Sequence, residues 1–252
     1  MPQCSDQPLR ILMWSGPRNI STALLRSFEN RDDTFVSDEP LYAYYLNETG
    51  YEHPGYQEVI ESQPTDWGTV IEALTSAVPG GKPIWYQKQM AHHFLPDVDR
   101  NWLNRDEIVN AFLIREPREM LTSLINVLGD VELDQTAMPQ QMEIFRMMRD
   151  HGKAPPVLDA RDVLDDPRGT LEQLCKVLQI PFTERMLQWS KGPRDTDGVW
   201  GKHWYASVYE TTTFGKYKRK DDVLPARYDD ILKRCEDLYD EFSEFRIRPI
   251  SK

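Results

Sequence analysis

The sequence predicts an α/β protein in three layers: a central, mainly parallel sheet of about five strands, flanked by helices. Two observations predict it. Short apolar runs alternate along the chain with segments of helical apolar period, the pattern of strand–helix–strand crossovers. The residues just after the runs are rich in groups that bind anions or move protons, as expected outside the carboxyl ends of parallel strands.

The elements follow in order. Arg10-Ile11-Leu12-Met13-Trp14 is an apolar run stopped by Ser15-Gly16-Pro17, so it reads as a buried strand ending in a turn. From Asn19 a helical period follows through Ile20, Ala23, Leu24, Ser27 and Phe28, with Asn19 or Ser21 suited to cap it. Phe35-Val36-Ser37 is a second strand, ending at Asp38-Glu39-Pro40, and Tyr42, Tyr44 and Tyr45 lie on a short helix behind it. Pro83 to Lys88 gives a third strand and Ile108 to Ile114 a fourth. Pro117 suits the first turn of a helix through Met120, Leu121, Leu124 and Leu128. Pro156 to Asp159 is the fifth strand, and Asp166-Pro167 opens another helix. Ile231, Leu232, Cys235, Leu238, Tyr239 and Phe242 mark a packed stripe on a C-terminal helix near 228–245. Residues 1–252 read as a single domain, with cap-like insertions near 47–82 and 129–154 over the strand ends.

Composition narrows the function. The 252 residues hold 30 Lys and Arg against 41 Asp and Glu, a net charge of −11. That argues against a nucleic-acid or anionic-membrane binder, which needs clustered positive charge, but leaves room for a local anion site. The start is polar, with no signal-peptide pattern, and no apolar run approaches membrane-helix length, so the chain reads as soluble and cytoplasmic. Cys4, Cys175 and Cys235 form no CxxC, and no HxH or HExxH occurs, so neither a disulfide framework nor a metal site is expected.

The first strand-to-helix connection is the sharpest signal. Gly16, Pro17, Arg18, Asn19, Ile20, Ser21 and Thr22 would present backbone N–H groups, a helix N-terminus, a fixed cation and two hydroxyls at one spot, a place for phosphate or sulfate. It is not a nucleotide-kinase loop. The positions of the second Gly, the Lys and the magnesium-binding hydroxyl hold Ser21, Thr22 and Ala23.

These residues resemble the 5′-phosphosulfate loop of sulfotransferases that use 3′-phosphoadenosine 5′-phosphosulfate (PAPS), a family with a P-loop-type fold. The resemblance puts Arg18, Ser21 and Thr22 on the 5′-phosphosulfate. It puts Arg115 and Ser123, spaced eight apart in Ile114-Arg115-Glu116-Pro117 and the following helix, on the 3′-phosphate, with Lys191 and Arg194 as further ligands. Ala160-Arg161-Asp162-Val163-Leu164 is similar to a family segment whose leading Tyr touches adenine, but here Ala160 stands in that place. The opening Trp-Ser-Gly-Pro-Arg-Asn and the later Asp-Glu-Pro-Leu-Tyr are similar to bacterial sulfotransferase-like proteins.

The resemblance implies a metal-independent transfer of the sulfuryl group to a hydroxyl or amine of a small acceptor, without nucleic acid or membrane, and it allows a homodimer. Arg18 would stabilise charge on the leaving phosphate. The base is open. Many members carry a His where this chain has Met90, so the role would shift to His92, or to His93, only one of the two facing the substrate; Glu39 is the rival. A non-catalytic module that binds a nucleotide or bisphosphate is the alternative reading, and a divergent kinase a weaker one.

Overall fold

The computed structural model describes residues 7–219 and 223–249. Cys4 and Lys220, the last residue of the basic run Lys216-Tyr217-Lys218-Arg219-Lys220, lie outside the described residues. Five strands, β1 (Leu9–Ser15), β2 (Thr34–Asp38), β3 (Ile84–Met90), β4 (Ile108–Ile114) and β5 (Val157–Asp159), form one sheet in the order β2-β3-β1-β4-β5. Every pairing is parallel. The connections between strands carry α1 (Ser21–Glu29), α2 (Tyr42–Thr49), α3 (Tyr56–Ser62), α4 (Trp67–Thr75), α5 (Pro117–Leu128) and α6 (Met138–Asp150), and α7 (Ala160–Asp165), α8 (Pro167–Val177), α9 (Gly201–Trp204), α10 (Ala206–Tyr209) and α11 (Asp229–Ser243) follow β5.

The layers follow from strand alternation. β1 lies between β3 and β4 and is buried along nearly its whole length, as a parallel strand covered on both faces must be. Its Ile11 and Met13 join one core with Leu24, Leu25 and Phe28 of α1 and Leu171, Leu174 and Cys175 of α8. Its Leu12 and Trp14 join the other, built by α4, α5, α6 and α11. Burying each large side chain of these clusters contributes roughly 1.5–3 kcal/mol.

Helix starts differ in part from expectation. Asp166 does cap α8, accepting from the Gly169 amide at 2.9 Å. Neither Asn19 nor Ser21 caps α1. The Asn19 side chain instead accepts from the Ile20 amide and donates to the Leu113 carbonyl at 3.1 Å, which ties the loop to β4. Glu116 caps α5, taking the amides of Arg118 and Glu119 at 3.2 and 2.8 Å.

The two stretches expected to cap the strand ends mostly do something else. α4 and α6 are crossover helices within one flanking layer. Leu74 of α4 accepts from Arg10 of β1 and Gln87 of β3, and Gln141 of α6 donates to the carbonyls of Trp14 and Leu113. Val70, Ile71 and Leu74, and Met142, Phe145 and Met148, give both helices a continuous apolar stripe that the sheet covers. The cover over the ends of β2 and β3 is a third, smaller cluster. It joins Tyr42, Ala43, Tyr45 and Leu46 of α2 to Val59 of α3 and to Trp200 and Tyr205 from far along the chain.

Candidate active site

One cavity of about 280 Å³ opens at the carboxyl ends of β1, β2, β3 and β4. Gly16 through Ala23, Glu39, Lys88, Met90, His92, His93, Arg115 and Ser123 all line it. Two of its residues, Arg18 at φ 58° and Glu39 at φ 41°, hold left-handed backbone conformations. For residues with a Cβ such conformations cost on the order of 1–3 kcal/mol and concentrate at functional sites.

Gly16 is set by a close approach. A Cβ there would lie 2.6 Å from the Thr136 carbonyl oxygen, in the turn that leads into α6. The loop is therefore pressed between that turn and β4. From it, Arg18 donates through Nε to the Ser123 hydroxyl at 3.0 Å, and Arg115 donates to the Arg18 carbonyl at 2.5 Å. Arg115 also pairs with Glu119 at 3.1 Å. Burial, and then the charge of Arg115, lower the Arg18 pKa. Two guanidiniums thus crowd one end of the cavity, with the helix N-terminus beside them. The hydroxyls of Ser21 and Thr22 make no hydrogen bond to another described residue. An anion seated here would relieve the repulsion and satisfy those donors.

The opposite end is acidic, aromatic and imidazole-lined. Lys88 reaches from β3 into a closed set of buried partners: Nζ donates to Asp38 Oδ1 at 2.9 Å, Glu39 Oε1 at 2.6 Å and the Tyr205 hydroxyl at 2.6 Å. The Tyr205 hydroxyl also takes the Trp200 indole N–H at 2.9 Å and lies 2.7 Å from Asp38 Oδ2. All three Lys88 protons are used, and both Asp38 oxygens are occupied. Glu39 Oε2 has no hydrogen-bond partner among the described residues, and Glu39 lines the cavity. Burial raises the Glu39 pKa, Lys88 opposes the rise, and Asp38 adds to it. Lys88 is itself raised, because its two carboxylate neighbours outweigh its desolvation, so it keeps its charge. Glu39 thus pairs with a lysine and not with an arginine, and Asp38 caps no helix.

Both histidines reach the cavity, not one. The strand ends in a short 3₁₀ turn, Ala91–His93, that presents the two rings 4.4 Å apart and edge to face. His93 is sandwiched between Tyr42 and Tyr45 at 4.6 and 4.7 Å. Their Nδ1 atoms are buried without a partner. Burial drives the His92 pKa down to about 3 and that of His93 well below its usual value, so both are neutral at pH 7. His53 also lines the cavity and bonds the Tyr42 hydroxyl through Nδ1 at 2.9 Å.

Lys191 and Arg194 are not brought here. Lys191 is exposed and pairs with Glu210, while Arg194 faces Glu29 at 3.6 Å and the Ser190 carbonyl. The loop carrying them packs against the far end of α1, where Arg26 holds Asp197. Tyr205 is the residue that sequence reasoning missed. Its only signal was its place at the end of Gly198-Val199-Trp200-Gly201-Lys202-His203-Trp204-Tyr205, a segment faintly similar to a Gly-x-x-Gly-Asp-Trp-Lys segment of sulfotransferases.

Sheet order, anion-ready first loop and cavity at the strand ends define a P-loop-type α/β protein. Residues 9–244 match the sulfotransferase domain family, and the chain belongs to it. It is 35% identical over 233 residues to branched-chain-amino-acid aminotransferase-like protein 1 of Arabidopsis thaliana, covering 92% of this chain and 41% of that one. It is 31% identical over 226 residues to protein 2 of the same name and plant, covering 90% and 40%. The chain thus spans about two fifths of the length of these curated relatives. Among solved structures it resembles the sulfotransferase domain from the curacin biosynthetic pathway, at TM-score 0.55 and 15% identity over 96% of this chain and 99% of that one. It also resembles the sulfotransferase domain of the Synechococcus PCC 7002 olefin synthase, at TM-score 0.58 and 17% identity over 93% and 95%. At these identities the likeness is one of fold. No described helix is long and apolar enough to cross a membrane, and no cluster of three or more metal-binding side chains occurs among the described residues.

Proposed function

We propose that the protein transfers a sulfuryl group from PAPS to a hydroxyl or amine of a small acceptor, with Glu39 as the base. The observation that carries this reading is the single cavity joining two opposite ends: the Arg18–Ser123–Arg115 cradle and the free oxygen of Glu39. The donor's 5′-phosphosulfate fits the loop from Gly16 to Thr22. The 3′-phosphate is assigned to Arg115 and Ser123. Lys191 and Arg194 lose that role, since they lie on a separate surface.

In the proposed step Glu39 Oε2 takes the acceptor's proton as its oxygen or nitrogen bonds to sulfur. The bond from sulfur to the 5′-phosphate oxygen breaks, and the charge left on that phosphate is received by Arg18 and the N-terminus of α1. Sulfuryl transfer moves a singly charged group, so this step makes little demand for a divalent ion. Glu39 is preferred over His92 and His93 because a base works best when its pKa lies near the working pH. Burial raises Glu39 toward that range and takes the histidines away from it. The two imidazoles serve better as neutral walls of the acceptor end.

The test is a screen of hydroxyl and amine acceptors with sulfur-labelled PAPS. Label transfer is expected with the wild-type chain and a loss of about 10²–10³-fold in Arg18→Ala. Full activity in Arg18→Ala would overturn the loop assignment.

A further inference from the structure

Three buried residues stand behind Glu39, and the proposed transfer uses none of them directly. Lys88 and Asp38 come from β3 and β2. Tyr205 comes from the segment after α9, 166 residues beyond Glu39. The protons among them can be assigned one by one. The Tyr205 hydroxyl accepts from Lys88 at 2.6 Å and from Trp200 at 2.9 Å, which fills both lone pairs. Its single proton has two carboxylate oxygens in reach, Asp38 Oδ2 at 2.7 Å and Glu39 Oε1 at 3.3 Å. The shorter contact takes it. Asp38 is then satisfied by Tyr205 on Oδ2 and by Lys88 on Oδ1, with the Gly198 amide a distant third at 3.4 Å. One Lys88 N–H is left for Glu39 Oε1.

We propose that Tyr205 is a positioning residue: by committing its phenolic proton to Asp38 Oδ2 it spares Asp38 a second Lys88 N–H, and by anchoring Nζ as an acceptor it holds Lys88 where one N–H meets Glu39 Oε1, which leaves Oε2 as the oxygen available to the cavity. This rests on the reading of Glu39 as the base. It explains why Trp200 and Tyr205 are buried against α2 and α3, when a cover over the strand ends needs only apolar bulk there. Three further contacts hold Glu39 in its left-handed backbone conformation. Lys88 grips the side chain, the Glu39 amide donates to the Lys88 carbonyl at 3.0 Å, and the Gln63 side chain donates to the Glu39 carbonyl at 3.2 Å.

Without the phenol, Asp38 Oδ2 loses its donor and the Lys88 N–H that the phenol accepted turns to it, which draws Nζ toward Asp38 and away from Glu39, so Glu39 becomes a stronger proton acceptor and a less well-aimed one. Without the Asp38 charge, Lys88 turns wholly to Glu39 and the effect reverses. The other groups facing Glu39 do not supply such a contrast. His92 and His93 are neutral, the Tyr42 hydroxyl is raised by burial and by Glu39 itself, and Arg18 lies at the other end of the cavity.

The experiment is a carbon-13 NMR titration of the side-chain carboxyls in glutamate-labelled protein, a readout that needs no acceptor. The Glu39 resonance is assigned by its absence in Glu39→Gln. Its midpoint should lie above the ordinary glutamate value, rise by up to about one pH unit in Tyr205→Phe as the Lys88 hydrogen bond to Glu39 weakens, and fall in Asp38→Asn. A Glu39 midpoint unchanged in a folded Tyr205→Phe would overturn the proposal. If Tyr205→Phe does not fold, a midpoint that fails to fall in Asp38→Asn overturns it equally. Labelled-PAPS transfer by Glu39→Gln separates the two claims. Activity kept there removes Glu39 as the base while the titration still reports on Tyr205. Activity lost there, with no shift in Tyr205→Phe, removes only the role given to Tyr205.

Discussion

Glu39 and His92 line the same cavity, yet burial acts on them in opposite senses. A carboxyl taken out of water is harder to ionise, so its pKa rises; an imidazole is harder to protonate, so its pKa falls. Desolvation leads both shifts here, and it makes the carboxylate the better proton acceptor at neutral pH. Glu39→Gln should therefore lower kcat by about 10²–10⁴-fold, while His92→Asn should lower it far less. Initial rates with labelled PAPS measure both, and the reverse order would return the role to the histidine. The acid limb of the rate profile should fall above the ordinary glutamate range if Glu39 is the base, because burial raises its pKa. At this scale the sequence was informative about identity and poor about partners. Arg18, Arg115, Glu39 and both histidines were singled out by type and position, and Ser123 by the family resemblance. That Lys88 would hold Glu39 was not, since a lysine inside an apolar strand gives no sign of which carboxylate crosses from the next strand. Tyr205 was less legible still, because its charged partners Lys88 and Asp38 lie more than 100 residues away.

Elements were read well where burial is two-sided. The five strands stood out as apolar runs because parallel strands bury both faces. β4 carries Ala111, Phe112, Leu113 and Ile114 without interruption, and its bounds were read as they stand in the structure. Helices fared worse where one face stays wet. α4 and α6 were taken for caps because their stripes of three or four apolar residues are diluted by polar ones. Their role depends on which sheet face lies opposite, and that is a tertiary fact. The first loop illustrates the same point at Gly16. Its need for glycine arises from the Thr136 carbonyl 2.6 Å from where a Cβ would stand, not from the loop itself. Gly16→Ala should push the turn before α6 off the loop and lower stability by about 1–3 kcal/mol, read from chemical denaturation. A change near zero would mean that this contact is slack.

The whole molecule carries 11 more acidic than basic charges, yet its cavity gathers Arg18 and Arg115 at one end. The acidic excess lies elsewhere, much of it on exposed surface such as the outer face of α11. Burial of neutral histidines also shapes the response of the fold to pH. The folded pKa values of His92 and His93 lie below the unfolded value of about 6.5, so the unfolded chain binds more protons in acid. Their contribution to stability is present above that value and is lost as the pH falls from there toward about 3, the folded value of His92. Thermal melts should show Tm falling between pH 7 and pH 5, with a shallower slope in His92→Gln. An equal slope would mean that the ring is hydrated in the folded state.

The central claim is that this cavity is built for a 3′,5′-bisphosphorylated adenosine donor, and ligand-dependent melting tests it without knowledge of the acceptor. 3′-Phosphoadenosine 5′-phosphate should raise Tm in proportion to the logarithm of its concentration, ATP should do so far less, and Arg115→Ala should erase the difference between them. Equal stabilisation of the wild-type chain by the two nucleotides would contradict the account.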